Sequence, residues 1–170
     1  MMSISYGHGY EFQDNFEAND TLSDVFNTAN RFGGGWFLRY RFNMKTGEMQ
    51  TEQVSDVESE FPTFNNSLLG TKNNVTYTAC SVDNGANSFF NAISRVTFDG
   101  QADVVTLQPG YYGSEPVFIP KTDAKGEDDG YLMEVVYNGF EHKSELLIFR
   151  ADAAFDQVCS LKLKHHLPHQ

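Results

Sequence analysis

Tyr111-Tyr112-Gly113-Ser114-Glu115-Pro116-Val117-Phe118-Ile119-Pro120 has the pattern of a β-strand. Aromatic and β-branched residues lie between a Pro109-Gly110 turn and a stop at Pro120. Strand side chains alternate with period two, so Glu115 shares a face with Val117 and Ile119. A carboxylate on an apolar face is costly unless it is paired or hydrogen-bonded. Pro116 removes a ladder donor beside it, which predicts a sheet edge or a strand end facing a cavity. Two readings stay open. Either Glu115 points at a partner that needs a fixed anion, or the strand end is wet and Glu115 meets solvent.

The same pattern recurs on both sides. Trp36–Phe42 alternates, with Trp36, Leu38, Tyr40 and Phe42 on one face and Arg39 and Arg41 on the other. Asn43–Gly47 is a hairpin turn, and Glu48–Val54 returns as a polar strand. Further strands are expected at Val75–Val82, Phe89–Phe98, Ala102–Leu107, Tyr131–Tyr137, Ser144–Phe149 and Val158–Leu163. Tyr131–Tyr137 is nearly continuous in apolar residues and therefore central, although Glu134 interrupts it. Residues 12–34 read mostly as loop, with a short helical turn at Thr21–Phe26, and Ala151–Gln157 has room for another. Short strands with turn signals every eight to twelve residues, and no long amphipathic helix, indicate an antiparallel all-β meander: a sandwich, barrel or propeller.

Length and charge exclude several functions. The 170 residues suffice for one domain, 1–170, with its own core. Lysine plus arginine number 12 against 23 aspartate plus glutamate, a net charge of -11. Nucleic acid is a poor partner for such a surface, because phosphate contacts need basic residues. No apolar run reaches the ~18 residues of a membrane span. The N-terminus lacks a basic start followed by an apolar core, so it does not read as a secretory signal. Cys80 and Cys159 are too far apart for metal spacing or a disulfide framework, and read as free thiols in a reducing compartment, the cytoplasm.

Among candidate chemical groups, His142 sits in a turn and reads as solvated. His165, His166 and His169 cluster beside Lys162 and Lys164, with no His-x-Glu or Cys-x-x-Cys partner, so the metal signal is weak. Glu60 in Glu60-Phe61-Pro62 and Glu115 in Glu115-Pro116-Val117-Phe118 share an unusual setting: an acid beside proline and aromatic residues at a strand end. Such a pair suits the acid and base of a glycosidase. It equally suits carboxylates that orient metal-bound imidazoles. A non-catalytic binding module is a third reading.

Several segments, in order, resemble the C-terminal part of the carotenoid cleavage oxygenases, which include apocarotenoid- and stilbene-cleaving dioxygenases and the retinal pigment epithelium isomerase. They are Gly9-Tyr10-Glu11; Leu38-Arg39-Tyr40-Arg41-Phe42-Asn43 with Thr46-Gly47; Glu60-Phe61-Pro62 with Asn65; and Gly113 to Pro120. Glu127-Asp128-Asp129-Gly130-Tyr131-Leu132, Ser144-Glu145-Leu146 and Leu167-Pro168-His169 complete the set. The resemblance implies a seven-bladed β-propeller, of which this chain would hold roughly the last three blades. It implies an Fe(II) held on the axis by four histidines, with three glutamates bonded to those imidazoles. Glu60 and Glu115 match two of the three. It further implies O₂ and an apolar polyene or stilbene as substrates, cleaved at a conjugated double bond. The histidines do not carry over. One ligand position falls near Ser5, with His8 close but out of register, and the last falls in an aromatic-His-Gly motif beyond Leu-Pro-His. Two more belong before Met1. The resemblance therefore predicts a partial enzyme, inactive alone and without tight iron.

Overall fold

The computed structural model describes residues 2–5, 35–82 and 89–168, the first of these as backbone. The expectations for His8, Gly9-Tyr10-Glu11, the Thr21–Phe26 turn and His169 lie outside the described residues.

Among the described residues eleven antiparallel strands form two sheets. The first runs β1 (Met2–Ser5), β2 (Gly35–Phe42), β3 (Met49–Thr63), β4 (Val75–Cys80), β5 (Ala92–Thr97) and β6 (Ala102–Thr106), in chain order. The second holds β7 (Tyr111–Gly113), β8 (Val117–Pro120), β9 (Gly130–Asn138), β10 (Lys143–Arg150) and β11 (Gln157–Lys162). Its order is β11-β10-β9-β7, with β8 also on β9. β9 is central, as its apolar sequence implies. The expected Asn43–Gly47 turn forms, with Gly47 at φ +76° and its N–H on the Asn43 carbonyl. Only glycine adopts that left-handed φ at little cost. Ala151–Gln157 is a turn without helix.

One strand explains the size of the first sheet. β3 pairs with β2 along Met49–Ser59 and with β4 from Ser59 onward. It ends one meander and begins the next. Counted twice, it gives an incomplete unit, β1-β2-β3, and a four-stranded unit, β3-β4-β5-β6. The second sheet is the third unit.

The joint between the sheets is the core. Val75, Tyr77, Ile93 and Leu107 meet Phe118, Leu132, Val136, Leu147 and Phe149. Tyr77 stacks on Phe118 with ring centroids 5.5 Å apart. Its hydroxyl donates to the Ala151 carbonyl at 2.7 Å. Polar clamps close the rim. The Glu127 carboxylate accepts from the Asn74 and Val75 N–H groups at 2.6 and 2.7 Å. Arg95 reaches Asp128 at 2.7 Å.

On β2 the face that carries Arg39 turns inward. Phe37 (1% exposed) and Arg39 (6%) point inward, whereas Trp36 and Phe42 are exposed. Arg39 is tolerated inside because its charge is matched. Its guanidinium lies 3.9 Å from the Phe98 ring centroid, donates to the Phe98 carbonyl and reaches Glu52 at 3.2 Å.

Candidate functional site

Glu60 stands at a defect in the ladder. Glu60 faces Ala79 and Thr63 faces Tyr77, so Phe61 and Pro62 oppose Thr78 alone. The extra residue is a β-bulge, a device that re-aims side chains and is common beside active sites. Phe61 takes φ 53°, left-handed for a bulky aromatic residue. Such a residue costs of order 1–3 kcal/mol and persists only where its surroundings hold it. The Phe90 ring does so, edge-on at 5.7 Å. Glu60 itself is half-buried.

Glu115 occupies a second defect. The expected continuous strand Tyr111–Pro120 is two short strands with Ser114-Glu115-Pro116 between them. Pro116 has no N–H to give β9, so the ladder breaks there. Ser114 covers the break, its N–H and hydroxyl both donating to the Val135 carbonyl at 3.1 and 2.8 Å. Pro116 and Phe118 face inward. Glu115, Val117 (51%) and Ile119 (42%) face outward and are exposed. The apolar face inferred for Glu115 exists, but it lies on the outside of the second sheet.

The two defects are linked. The Phe90 carbonyl accepts the Gly113 N–H at 2.7 Å. Glu60 is therefore tied to Glu115 through Phe61, Phe90 and Gly113. Among the described residues neither carboxylate has a hydrogen-bond or ion-pair partner, so both are free to accept one.

Other motif segments also meet in pairs. Asn65 Nδ2 donates to the Glu127 carbonyl at 3.1 Å, and the Leu167 N–H donates to Ser144 Oγ at 2.9 Å. Glu145, 3% exposed, accepts from Tyr111 Oη, Asn138 Nδ2 and Ser160 Oγ, each at 2.9 Å. Burial alone would raise its pKa. Those three donors and the Lys162 charge together hold it below the usual carboxylate value. These are structural stitches across strands that the sequence segments had marked without explaining.

Among the described residues the histidines do not form a centre. His142, at φ 52°, has Nδ1 2.7 Å from Tyr137 Oη, and His166 packs edge-on to the same ring at 5.0 Å. His165 is exposed. Among the described residues no group of three or more His, Cys, Asp or Glu could hold a metal ion. Cys80 and Cys159 are free thiols. Burial pushes Cys80 up to about 12, so it is inert as a nucleophile. Among the described residues no helix is long and apolar enough to cross a membrane. One group escaped notice except as an interruption of β9: Glu134, the fully buried carboxylate of the joint.

The chain matches the family model described as RPE65, retinal pigment epithelial membrane protein, over residues 2–170. It is 30% identical over 137 residues to the apocarotenoid-15,15'-oxygenase of Synechocystis, covering 79% of this chain and 28% of that protein. It is 28% identical over 157 residues to the carotenoid 9,10(9',10')-cleavage dioxygenase 1 of Arabidopsis thaliana, covering 80% and 27%. The crystal structure of cobalt-substituted Synechocystis ACO superposes with TM-score 0.84 at 25% identity, over 99% of this chain and 34% of that one. An ACO/RPE65 chimera gives 0.74 at 28% identity, over 80% and 29%. The chain thus spans under a third of the length of the curated relatives named here. With the matching fold and a family model covering almost every residue, the chain belongs to the RPE65 family of carotenoid oxygenases.

Proposed function

We propose that this chain is the C-terminal portion of an oxygenase that splits a conjugated carbon–carbon double bond of a carotenoid, apocarotenoid or stilbene with O₂, leaving two carbonyl fragments. Glu60 and Glu115 each accept the free N–H of a metal-binding imidazole supplied from outside the described residues. The observation that carries this is the linked pair of ladder defects. Each presents an unpartnered carboxylate, and the Phe61–Phe90–Gly113 relay holds them relative to each other. An imidazole donating to a carboxylate is fixed in one tautomer and made a better ligand. Fe(II), when bound in a complete protein, supplies the activation of O₂. The exposed Val117 and Ile119 beside Glu115 give apolar surface of the kind a polyene needs. In this reading the isolated chain is inactive.

The experiment is a graft. Residues 35–168 replace the matching segment of the Synechocystis apocarotenoid oxygenase, whose remaining chain supplies the rest of the fold. Retained cleavage of an apocarotenoid into two carbonyl products supports the proposal. A folded, metal-loaded graft with no cleavage counts against it.

A further inference from the structure

Glu134 lies at the centre of β9 with its side chain in the joint between the sheets. It is 1% exposed, and neither carboxylate oxygen has a hydrogen-bond partner among the described residues. Its neighbours along the same face of β9 are Leu132 and Val136, and its cross-strand partner on β10 is Leu147. All three are buried apolar residues. On the β7 side stands Gly113, where a Cβ would collide with Glu134 Oε1 and lie 3.0 Å from Cδ, with Leu107 Cδ1 at 3.3 Å. The missing side chain of Gly113 makes the room that Glu134 fills.

Among the described residues no donor of the flanking strands reaches Glu134. On β10, Glu145 is engaged by Tyr111 of β7, Asn138 and Ser160. On β5, Arg95 is bound to Asp103 and Asp128. On β4, the Cys80 thiol is held up first by burial, with the Glu134 charge as a further raising cause. Burial is the one cause acting on Glu134, and it pushes the carboxyl well above its usual range. An ionised carboxylate in an apolar, donor-free site is far costlier than the neutral acid.

We propose that Glu134 is carried in the joint as a neutral carboxylic acid, and that losing its proton parts the two sheets, so the contact is locked in acid and released in alkali. The sign follows from linkage. In the folded chain the proton stays on above the pH at which the unfolded chain has lost it. Stability from this group is complete below the ordinary value of 4.5 and declines as pH rises through the folded value. Gly113 transmits the release. It touches Glu134, bonds to Phe90 and lies two residues before Glu115, so an opened joint also frees Glu115 from Glu60.

The test is urea denaturation of the full 170-residue chain between about pH 5 and 9, for wild type and Glu134→Gln. The wild-type folding equilibrium constant falls about tenfold more per pH unit than that of the variant, across the window where only the folded state holds the proton. Glu134→Met, apolar and of similar length, is the second reference should the glutamine variant fail to fold. An infrared carbonyl band of a protonated carboxylic acid is expected in wild type at pH 7, fading as the chain is titrated through the loosening. The band needs no variant. Parallel stability curves, or no such band at pH 7, overturn the proposal.

Discussion

The Gly113 N–H donates to the Phe90 carbonyl at 2.7 Å, joining the strand break that carries Glu115 to the aromatic ring that braces the Glu60 bulge. Two carboxylates far apart in sequence are thus linked through Phe61, Phe90 and Gly113. The link runs through one ring contact and one backbone hydrogen bond, and a side chain at Gly113 would collide with Glu134.

Strain at Phe61 is directly testable. Phe61→Gly removes the left-handed cost but also the ring contact with Phe90, worth about 0.5–1.5 kcal/mol. Phe61→Gly therefore destabilises less than Phe61→Val. Phe61→Val loses the ring and keeps a β-branched residue at φ 53°, so it destabilises by about 2 kcal/mol or more. Urea midpoints for the two variants check this. Equal losses would show that the positive φ stores nothing.

Gly113→Ala overpacks the joint and destabilises by about 1–3 kcal/mol. Most of that loss vanishes in a Glu134→Ala background, because the atoms it meets are those of the Glu134 carboxyl and Leu107. A double-mutant cycle reads the coupling, expected above about 0.5 kcal/mol. Additive losses would place the clash elsewhere.

Glu145 gives stability the opposite pH sign to Glu134. Its folded pKa is lowered, so its contribution is present above the ordinary value of 4.5 and lost as pH falls through the folded value. Glu145→Gln flattens the acid limb of the stability curve and leaves the alkaline limb in place. A Glu145→Gln curve that keeps the full acid limb would contradict the hydrogen-bond cage.

The outer face of the second sheet is apolar and open: Val117 and Ile119 on β8, Leu161 on β11. Among the described residues β11 is also an unpaired edge. Open apolar faces and free edges promote association. The isolated chain is expected to self-associate in sedimentation despite its net charge of -11, and Val117→Lys with Ile119→Glu to reduce this. A wild-type chain that sediments as a monomer would refute the expectation.

Strand positions were legible because period-two alternation and turn glycines such as Gly47 and Gly110 act locally. What the alternation could not show was which face turns inward. β2 buries Phe37 and Arg39 because Phe98, far along the chain, supplies a ring and a carbonyl for the guanidinium. The break at Glu115 was written in Pro116, but its outward direction depends on the inward packing of Phe118 on Tyr77. The bulge at Glu60 needs the register of β4, which no local pattern carries. Glu134 was visible only as a polar residue in an apolar strand. Its lack of any donor belongs to the assembled joint.

In the proposed function Glu60 and Glu115 act through imidazoles and not directly on substrate. The measurement is metal occupancy, alongside alkene-cleavage rate, in the grafted oxygenase carrying Glu115→Gln or Glu115→Ala, and likewise at Glu60. Metal affinity is expected to fall about 10–100-fold for the alanine variants and less for the glutamine variants, with rate following occupancy. Full occupancy with a collapsed rate, and a lost limb in the pH–rate profile, would contradict it and make the carboxylates direct proton carriers.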